Sequence, residues 1–262
     1  MLLLIDAGNT NCVFALHDCN EFKASWRCKT DSARSADEYA AMLYQLFQIK
    51  SLDFGMVKEA IISSVVPDAN FQLQQLCKIH FECEAHFIGH DAVRPPVEIL
   101  LRKPEEIGAD RLVNAVAVNN TYKTPAIIID FGTATTFDVV TAEGAYAGGI
   151  IAPGINLSLN ALHAAAAKLP KIDIAAPEKV IGTNTVEAMQ SGIYWGYVSM
   201  IEGLIGRLRN EINGSPVIVA TGGLAGIYAK NLKCINEVDQ ELTLKGLLTI
   251  YKSIKNAEQK VA

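Results

Sequence analysis

A strand–turn–strand unit that occurs twice limits what this chain can fold into more than any other feature. Leu2 to Ile5 is a continuous apolar run that meets Asp6-Ala7-Gly8-Asn9-Thr10-Asn11, after which Cys12 to Leu16 resumes the apolar pattern. Far along the chain, Ala126 to Ile129 leads into Asp130-Phe131-Gly132-Thr133-Ala134-Thr135-Thr136, and Phe137 to Val140 follows. Each reads as a β-hairpin with a polar, glycine-containing turn. A second pair strengthens the repeat: Ala60 to Ile62 runs into Ser63-Ser64, and Val217 to Ala220 runs into Thr221-Gly222-Gly223. The copies lie about half a chain apart, so the expected architecture is α/β: two related domains, 1–116 and 117–262, each a mixed sheet flanked by helices and each carrying one turn.

Helices fall between the strands. Ser35 and Glu38 form a capping box ahead of an apolar stripe of Tyr39, Met42, Leu43, Leu46 and Phe47. Asn184 and Glu187 form another, ahead of Ile193, Tyr197, Met200, Ile201, Leu204, Ile205 and Leu208. Leu244, Leu247, Leu248, Tyr251 and Ile254 predict a closing helix that frays from Lys255 onward. Lys103-Pro104-Glu105-Glu106 precedes Gly108, and Leu112, Ala115 and Val116 follow, which puts Asp110 in the first turns of a helix. Arg94-Pro95-Pro96 reads as a stiff turn.

Composition enters as a set of exclusions. Hydrophobic residues at 50% and charged ones at 19% support a substantial core, and a net charge of −5 argues against a nucleic-acid partner. Ala145 to Ala167 is free of formal charge, but Pro153, Gly154, Asn156, Ser158, Asn160 and His163 interrupt it. A loop feeding a close-packed helix is expected there, not a membrane span. Met1 to Ile5 meets Asp6 at once, with no basic leader, so a cytoplasmic location is expected. The six cysteines show no CxxC spacing, and reduced, mostly buried thiols are the expectation. His163 is read as a packed residue and not a catalyst.

Alone, either turn needs only a Gly or Asn to close a hairpin. Together, facing each other across two domains, they suit a nucleotide. Phosphoryl transfer asks for backbone N–H groups and hydroxyls on phosphate oxygens and a carboxylate near the metal. On that reading Asp6 and Asp130 serve cations, with Asp6 toward Mg²⁺, while Gly8, Asn9, Thr10, Gly132 and Thr133 lie against phosphate. No GxxxxGK[ST] or GxGxxG fingerprint points to another nucleotide fold. A helix start favours the ionised form of Asp110, which then orients a hydroxyl and accepts its proton; Arg111 suits a substrate carboxylate. The plain alternative for this pair is an N-terminal helix acid beside a surface arginine.

Asp6-Ala7-Gly8-Asn9-Thr10, Gly108-Ala109-Asp110-Arg111, Asp130 to Thr136, Gly149-Ile150-Ile151-Ala152-Pro153-Gly154 and Thr221-Gly222-Gly223 together resemble type III pantothenate kinase, a family of the acetate and sugar kinase, heat-shock ATPase and actin superfamily. The resemblance implies an actin-like ATPase architecture with ATP between the domains, and phosphorylation of pantothenate to 4′-phosphopantothenate. It implies that Asp6, Ala7, Gly8, Asn9, Thr10, Asn11, Cys12, Val13 and Thr133 contact ATP with its Mg²⁺, and that Asp130 holds a monovalent cation, K⁺ or NH₄⁺. It further implies that Gly108, Ala109, Asp110, Arg111 and Thr185 contact pantothenate, that Asp110 is the proton acceptor, and that the enzyme is a homodimer.

One position departs from the pattern. Members carry a Tyr in the pantothenate pocket seven residues before the glycine of Gly-Ala-Asp-Arg, where this chain has Leu101. Two other classes share these features: a nucleotide-binding regulator without turnover, and a kinase for another small hydroxyl compound. The intact Asp6, Asp110 and Asp130 speak against the first, and Gly108 to Arg111 against the second.

Overall fold

A computed structural model describes residues 1–89, 93, 95–166 and 168–261, so Arg94 of the expected stiff turn lies outside the described residues. In chain order the elements are β1 (Leu2–Ala7), β2 (Asn11–His17), β3 (Phe22–Lys29), α1 (Ala36–Ile49), β4 (Glu59–Ser64), α2 (Pro67–Gln75), β5 (Ala85–Phe87) and α3 (Ala109–Thr121). There follow β6 (Ala126–Phe131), β7 (Ala134–Val140), β8 (Tyr146–Pro153), α4 (Ile155–Ala165), α5 (Thr185–Glu211), β9 (Val217–Gly222), α6 (Ala225–Tyr228), β10 (Glu237–Val238) and α7 (Leu242–Val261). The chain divides into two compact units. The first is Met1–Pro96 with Glu105–Ala117 and Thr243–Ala262; the second is Val97–Pro104 with Val118–Leu242.

The first unit holds a five-stranded sheet in the order β3-β2-β1-β4-β5, with β1 antiparallel to β2 and parallel to β4. Side chains alternate across a strand, so Leu3, Ile5, Phe14, Leu16 and Ile62 share one face and pack with Tyr39, Leu43 and Phe47 of α1 and Leu73 of α2. Helix α1 starts where the sequence signals it: the Ser35 hydroxyl accepts from Glu38 N–H at 3.3 Å, and the Glu38 carboxylate accepts from Ser35 N–H at 2.8 Å. The other face, with Leu2, Leu4, Ala15 and Ile61, is buried as well.

Helix α7 closes on this unit and not on the second, which differs from a domain running 117–262. Lys255 pairs with Glu59 at the start of β4 at 2.5 Å, and the Thr243 hydroxyl donates to Asn114 at 2.8 Å. A Cβ on Gly246 would fall 2.2 Å from the Val113 carbonyl, so α7 meets α3 backbone to backbone. The same ties explain why the helix runs on to Val261 and does not fray from Lys255. That lysine also pairs with Glu258 and lies over the Tyr251 ring.

The second unit repeats the first strand for strand. Its order is β10-β9-β6-β7-β8, with β6 antiparallel to β7 and parallel to β9, so β6 stands where β1 does and β9 where β4 does. Ile127, Ile129, Phe131 and Phe137 pack against Tyr194, Tyr197, Ile201 and Ile205 of α5. Residues expected as a loop after Ala145 form strand β8, whose burial alternates, because its glycines let it lie close on β7; a Cβ on Gly149 would fall on the Phe137 carbonyl. At α5 the capping box is half formed. Asn184 accepts from Glu187 N–H at 3.0 Å, but the Glu187 carboxylate accepts from the N–H and hydroxyl of Thr183 instead. Among the described residues no helix is long and apolar enough to cross a membrane.

Candidate active site

The first turn joins β1 to β2. Gly8 N–H donates to the Asn11 carbonyl at 3.0 Å, Asn9, Thr10 and Asn11 are exposed, and Asp6, Gly8 and Val13 are half-buried. Ala7 and Cys12 are buried. The Cys12 side chain belongs to the core, where a hydrogen bond with Cys28 and burial push its thiol pKa up, so its part in the turn is played by its backbone. Thr30, directly after β3, grips the turn: its N–H donates to the Thr10 carbonyl at 3.0 Å and its hydroxyl to the Gly8 carbonyl at 2.6 Å. Asp6 stands between Val13 and Ser63 in register, on one face of the sheet.

The Gly108 to Arg111 segment meets the same unit. Val65 N–H donates to the Ala7 carbonyl at 3.0 Å, and a Cβ on Gly108 would lie 3.7 Å from the Val65 side chain and 2.6 Å from Asp110 Oδ1. Helix α3 begins at Ala109, so Asp110 is in its first turn, as the sequence signals, and its carboxylate accepts from Arg111 N–H at 2.8 Å. Burial works against the ionised form that the helix start favours. Burial raises the Asp110 pKa above the ordinary carboxylate value, and the Arg111 N–H and charge offset only part of that. Such a shift brings a carboxylate closer to the pKa that suits a general base.

The second turn joins β6 to β7, and Gly132 N–H donates to the Ala134 carbonyl at 3.1 Å. Gly132 and Thr133 are exposed. Asp130 stands between Thr136 and Thr221 in register, a row of three oxygen-bearing side chains on one face. Beside it Asp138, fully buried, accepts from the Tyr146 hydroxyl at 2.7 Å and the Thr136 hydroxyl at 3.1 Å. Backbone packs tightly around this turn. A Cβ on Gly154 would lie 2.0 Å from the Thr133 carbonyl oxygen and 2.8 Å from that of Gly132, and one on Gly222, whose φ is +90°, would lie 2.6 Å from Asp130 Oδ1.

Leu101 goes with the second unit. Leu100 N–H donates to the Tyr146 carbonyl at 2.9 Å, and Leu101 Cδ2 lies 3.3 Å from where a Gly148 Cβ would be. Thr185, exposed, is the first residue of α5 in that unit. The structure therefore sets Val65 between Ala7, at the head of the first turn, and Gly108, and brings the second turn together with Gly154 and Gly222. Sequence reasoning missed Thr30 as a neighbour of the first turn, and it quoted Thr136 and Thr221 within motifs without placing them on either side of Asp130, which only strand register reveals. His163 is packed, with a ring nitrogen 2.7 Å from the Leu169 carbonyl.

Two five-stranded sheets of one topology, each with an acidic, glycine-containing turn on its central strand, define an actin-like ATPase and sugar-kinase fold. Solved structures share it: a Campylobacter jejuni protein described as a candidate Baf family transcriptional activator has a TM-score of 0.61 at 17% identity, covering 97% of this chain and 99% of that one. A candidate 2-dehydro-3-deoxygalactonokinase from Sinorhizobium meliloti has a TM-score of 0.59 at 14% identity, covering 97% of each chain. Sequence comparison goes further than fold. The family model for type III pantothenate kinase matches residues 2–207. A type III pantothenate kinase of Paramagnetospirillum magneticum is 55% identical over 252 residues, 96% of this chain and 97% of that relative. One of Caulobacter vibrioides is 48% identical over 260 residues, 98% and 99% of the two chains. The chain belongs to the type III pantothenate kinase family.

Proposed function

We propose that this chain transfers the γ-phosphoryl group of MgATP to the primary hydroxyl of pantothenate, giving 4′-phosphopantothenate and ADP, the first step of coenzyme A synthesis. The observation that carries this reading is family membership across residues 2–207, in a chain that seats Gly108 beside Val65, whose N–H bonds Ala7 at the head of the first turn. Asp110 orients the hydroxyl and takes its proton as the new P–O bond forms, and Arg111 pairs with the pantothenate carboxylate. Gly108, Ala109 and Thr185 contact the rest of the substrate, and Leu101 packs on its methyl groups. The segment Asp6 to Val13 and Thr133 hold the phosphates of ATP through N–H groups and hydroxyls.

The donor sets fit the cations. Hard cations take oxygen ligands, and the row Thr136, Asp130, Thr221 offers oxygen on both sides of the carboxylate, which supports Asp130 as the K⁺ or NH₄⁺ residue. Asp6 is the carboxylate of the first turn and would hold Mg²⁺, directly or through water; Ser63 beside it is buried with no partner for its hydroxyl among the described residues. Mg²⁺, when bound, neutralises charge on the phosphate oxygens. A homodimer is part of the reading. Exposed Ile151, Leu157 and Ile181 in the second unit support it, whereas Tyr197, Ile201, Ile205 and Leu208 of α5 are used in the core. A cytoplasmic location goes with the substrate.

A coupled ADP-release assay with and without pantothenate, repeated over other small hydroxyl compounds, tests the reading. Pantothenate-dependent release of ADP is expected. Release without pantothenate dependence, or none from folded protein across K⁺ and NH₄⁺ concentrations, overturns it. Light scattering on a sizing column gives the subunit count, and a monomer would remove the dimer.

A further inference from the structure

We propose that Thr30, outside every motif of this chain, is a positioning residue for the nucleotide: it fixes the peptide plane between Gly8 and Asn9 and so aims the Asn9 N–H at phosphate. This rests on the reading that the first turn binds ATP, and adds to it the residue that sets the turn's shape. A hairpin turn with a glycine and exposed polar residues has several accessible conformations. Thr30 engages carbonyls on both sides of Asn9, Gly8 through its hydroxyl at 2.6 Å and Thr10 through its N–H at 3.0 Å. In a trans peptide the N–H points opposite the C=O, so holding the Gly8 carbonyl turns the Asn9 N–H away from Thr30. The 2.6 Å contact is at the short end for O–H···O, and it is partly shielded from water.

The support for Thr30 is itself rigid. Strand β3 pairs with β2 through Asn11↔Lys29 and Cys12↔Cys28, and Thr30 follows Lys29 at once. A β-branched side chain has few rotamers to lose in making the bond.

The duplication supplies an independent argument. Ala134 of β7 pairs with Pro153 of β8, and Gly154 follows Pro153 as Thr30 follows Lys29, so Thr30 and Gly154 occupy equivalent places. Gly8 and Gly132 are equivalent too, each two residues after the strand aspartate. Thr30 bonds the Gly8 carbonyl, and a Cβ on Gly154 would fall 2.0 Å from the Thr133 carbonyl oxygen and 2.8 Å from that of Gly132. In both units the residue after the third strand thus stands against the turn, and in the first it carries a hydroxyl.

Thr30→Val removes the hydroxyl at constant shape, Thr30→Ala removes it without crowding the turn, and Thr30→Ser keeps it. The Val and Ala variants are expected to raise KM for MgATP about two- to tenfold, the range one hydrogen bond supplies, with KM for pantothenate unchanged and the Ser variant close to the parent. A parental KM for MgATP in Val and Ala variants that melt like the parent, an equal rise for both substrates, or failure of Ser to restore the value overturns the proposal. Asn9→Asp, which sets a negative charge in the turn, separates the two levels. If it leaves MgADP binding by calorimetry unchanged, the first turn is not a phosphate site and both readings fall. If it weakens MgADP binding while Thr30→Val and Thr30→Ala do not, only the role of Thr30 falls.

Discussion

After its third strand the first unit places Thr30 and the second places Gly154: Thr30 holds the Gly8 carbonyl with a hydroxyl at 2.6 Å, whereas Gly154 leaves no room for a Cβ, which would fall 2.0 Å from the Thr133 carbonyl oxygen and 2.8 Å from that of Gly132. The first turn is therefore held by a side chain as well as by main chain, and the second is closed in by main chain packed on main chain. The acids differ in the same way. Asp6 stands between Val13 and Ser63, whereas Asp130 stands between Thr136 and Thr221 with Asp138 beyond. The same turn plan thus stands once with a single carboxylate beside a buried serine and once with a carboxylate between two threonines. A hydroxyl contact fails gradually on substitution, while backbone contact leaves no room for a single methyl group.

The largest effect belongs to Asp110, which has no counterpart among the residues proposed for the second turn. Asp110→Asn is expected to lower kcat by roughly 10²-fold or more, the scale of general acid–base catalysis. A near-native kcat would remove Asp110 from the chemistry. Its raised pKa adds a test in pH. The parent's rate should fall on acidification with a limb above the ordinary carboxylate value of 3.8, and the Asn variant should lack that limb.

Stability should move the other way. A carboxylate raised by burial binds its proton more tightly in the folded state, so the fold loses stability as pH rises from 3.8 through the raised value. Asp110→Asn should then melt at or above the parent temperature at pH 8, with the gain gone below pH 3.8. A variant that melts lower at pH 8 would show that burial does not penalise this group.

Gly154→Ala against Gly8→Ala tests the comparison itself. The added Cβ meets the Thr133 carbonyl oxygen at 2.0 Å in one case and the Asn11 carbonyl oxygen at 3.2 Å in the other. Crowding of the first kind costs about 1–3 kcal/mol, so Gly154→Ala should lower the melting temperature by several degrees and raise KM for MgATP, with Gly8→Ala the milder change. Equal losses would end the distinction between the two turns. Replacement of K⁺ by Na⁺ is expected to lower turnover, and Asp130→Asn to flatten that dependence; equal rates of the parent in the two salts would take the cation from Asp130 and from its threonine neighbours.

Leu101→Tyr carries the smallest expected effect. A tyrosine hydroxyl there regains a hydrogen bond worth roughly 0.5–1.5 kcal/mol, so KM for pantothenate should fall by up to about tenfold at constant kcat. The contact of Leu101 with the Gly148 backbone sets how much room the ring has. An unchanged KM in a folded variant would place this side chain outside the pocket or show the contact already supplied.

What the sequence determined by itself is whatever depends on residues within a turn or two of each other. The hairpins at Asp6 and Asp130 follow from apolar runs broken by Gly and Asn or Thr, the start of α1 from Ser35 and Glu38, and the position of Asp110 from Pro104 and the acids before α3. The repeat was legible because two units of the same local pattern stand in the same order. Only tertiary structure decided that Thr30, 22 residues away, holds Gly8, and that Thr221 arrives beside Asp130 through the parallel register of β6 and β9. Only it returned α7 to the first unit, through Lys255 with Glu59 and Gly246 against Val113. It also decided the burial of Asp110: a helix start acts over one turn of chain, but desolvation depends on all that packs around the carboxylate, and it raises this pKa above the ordinary value.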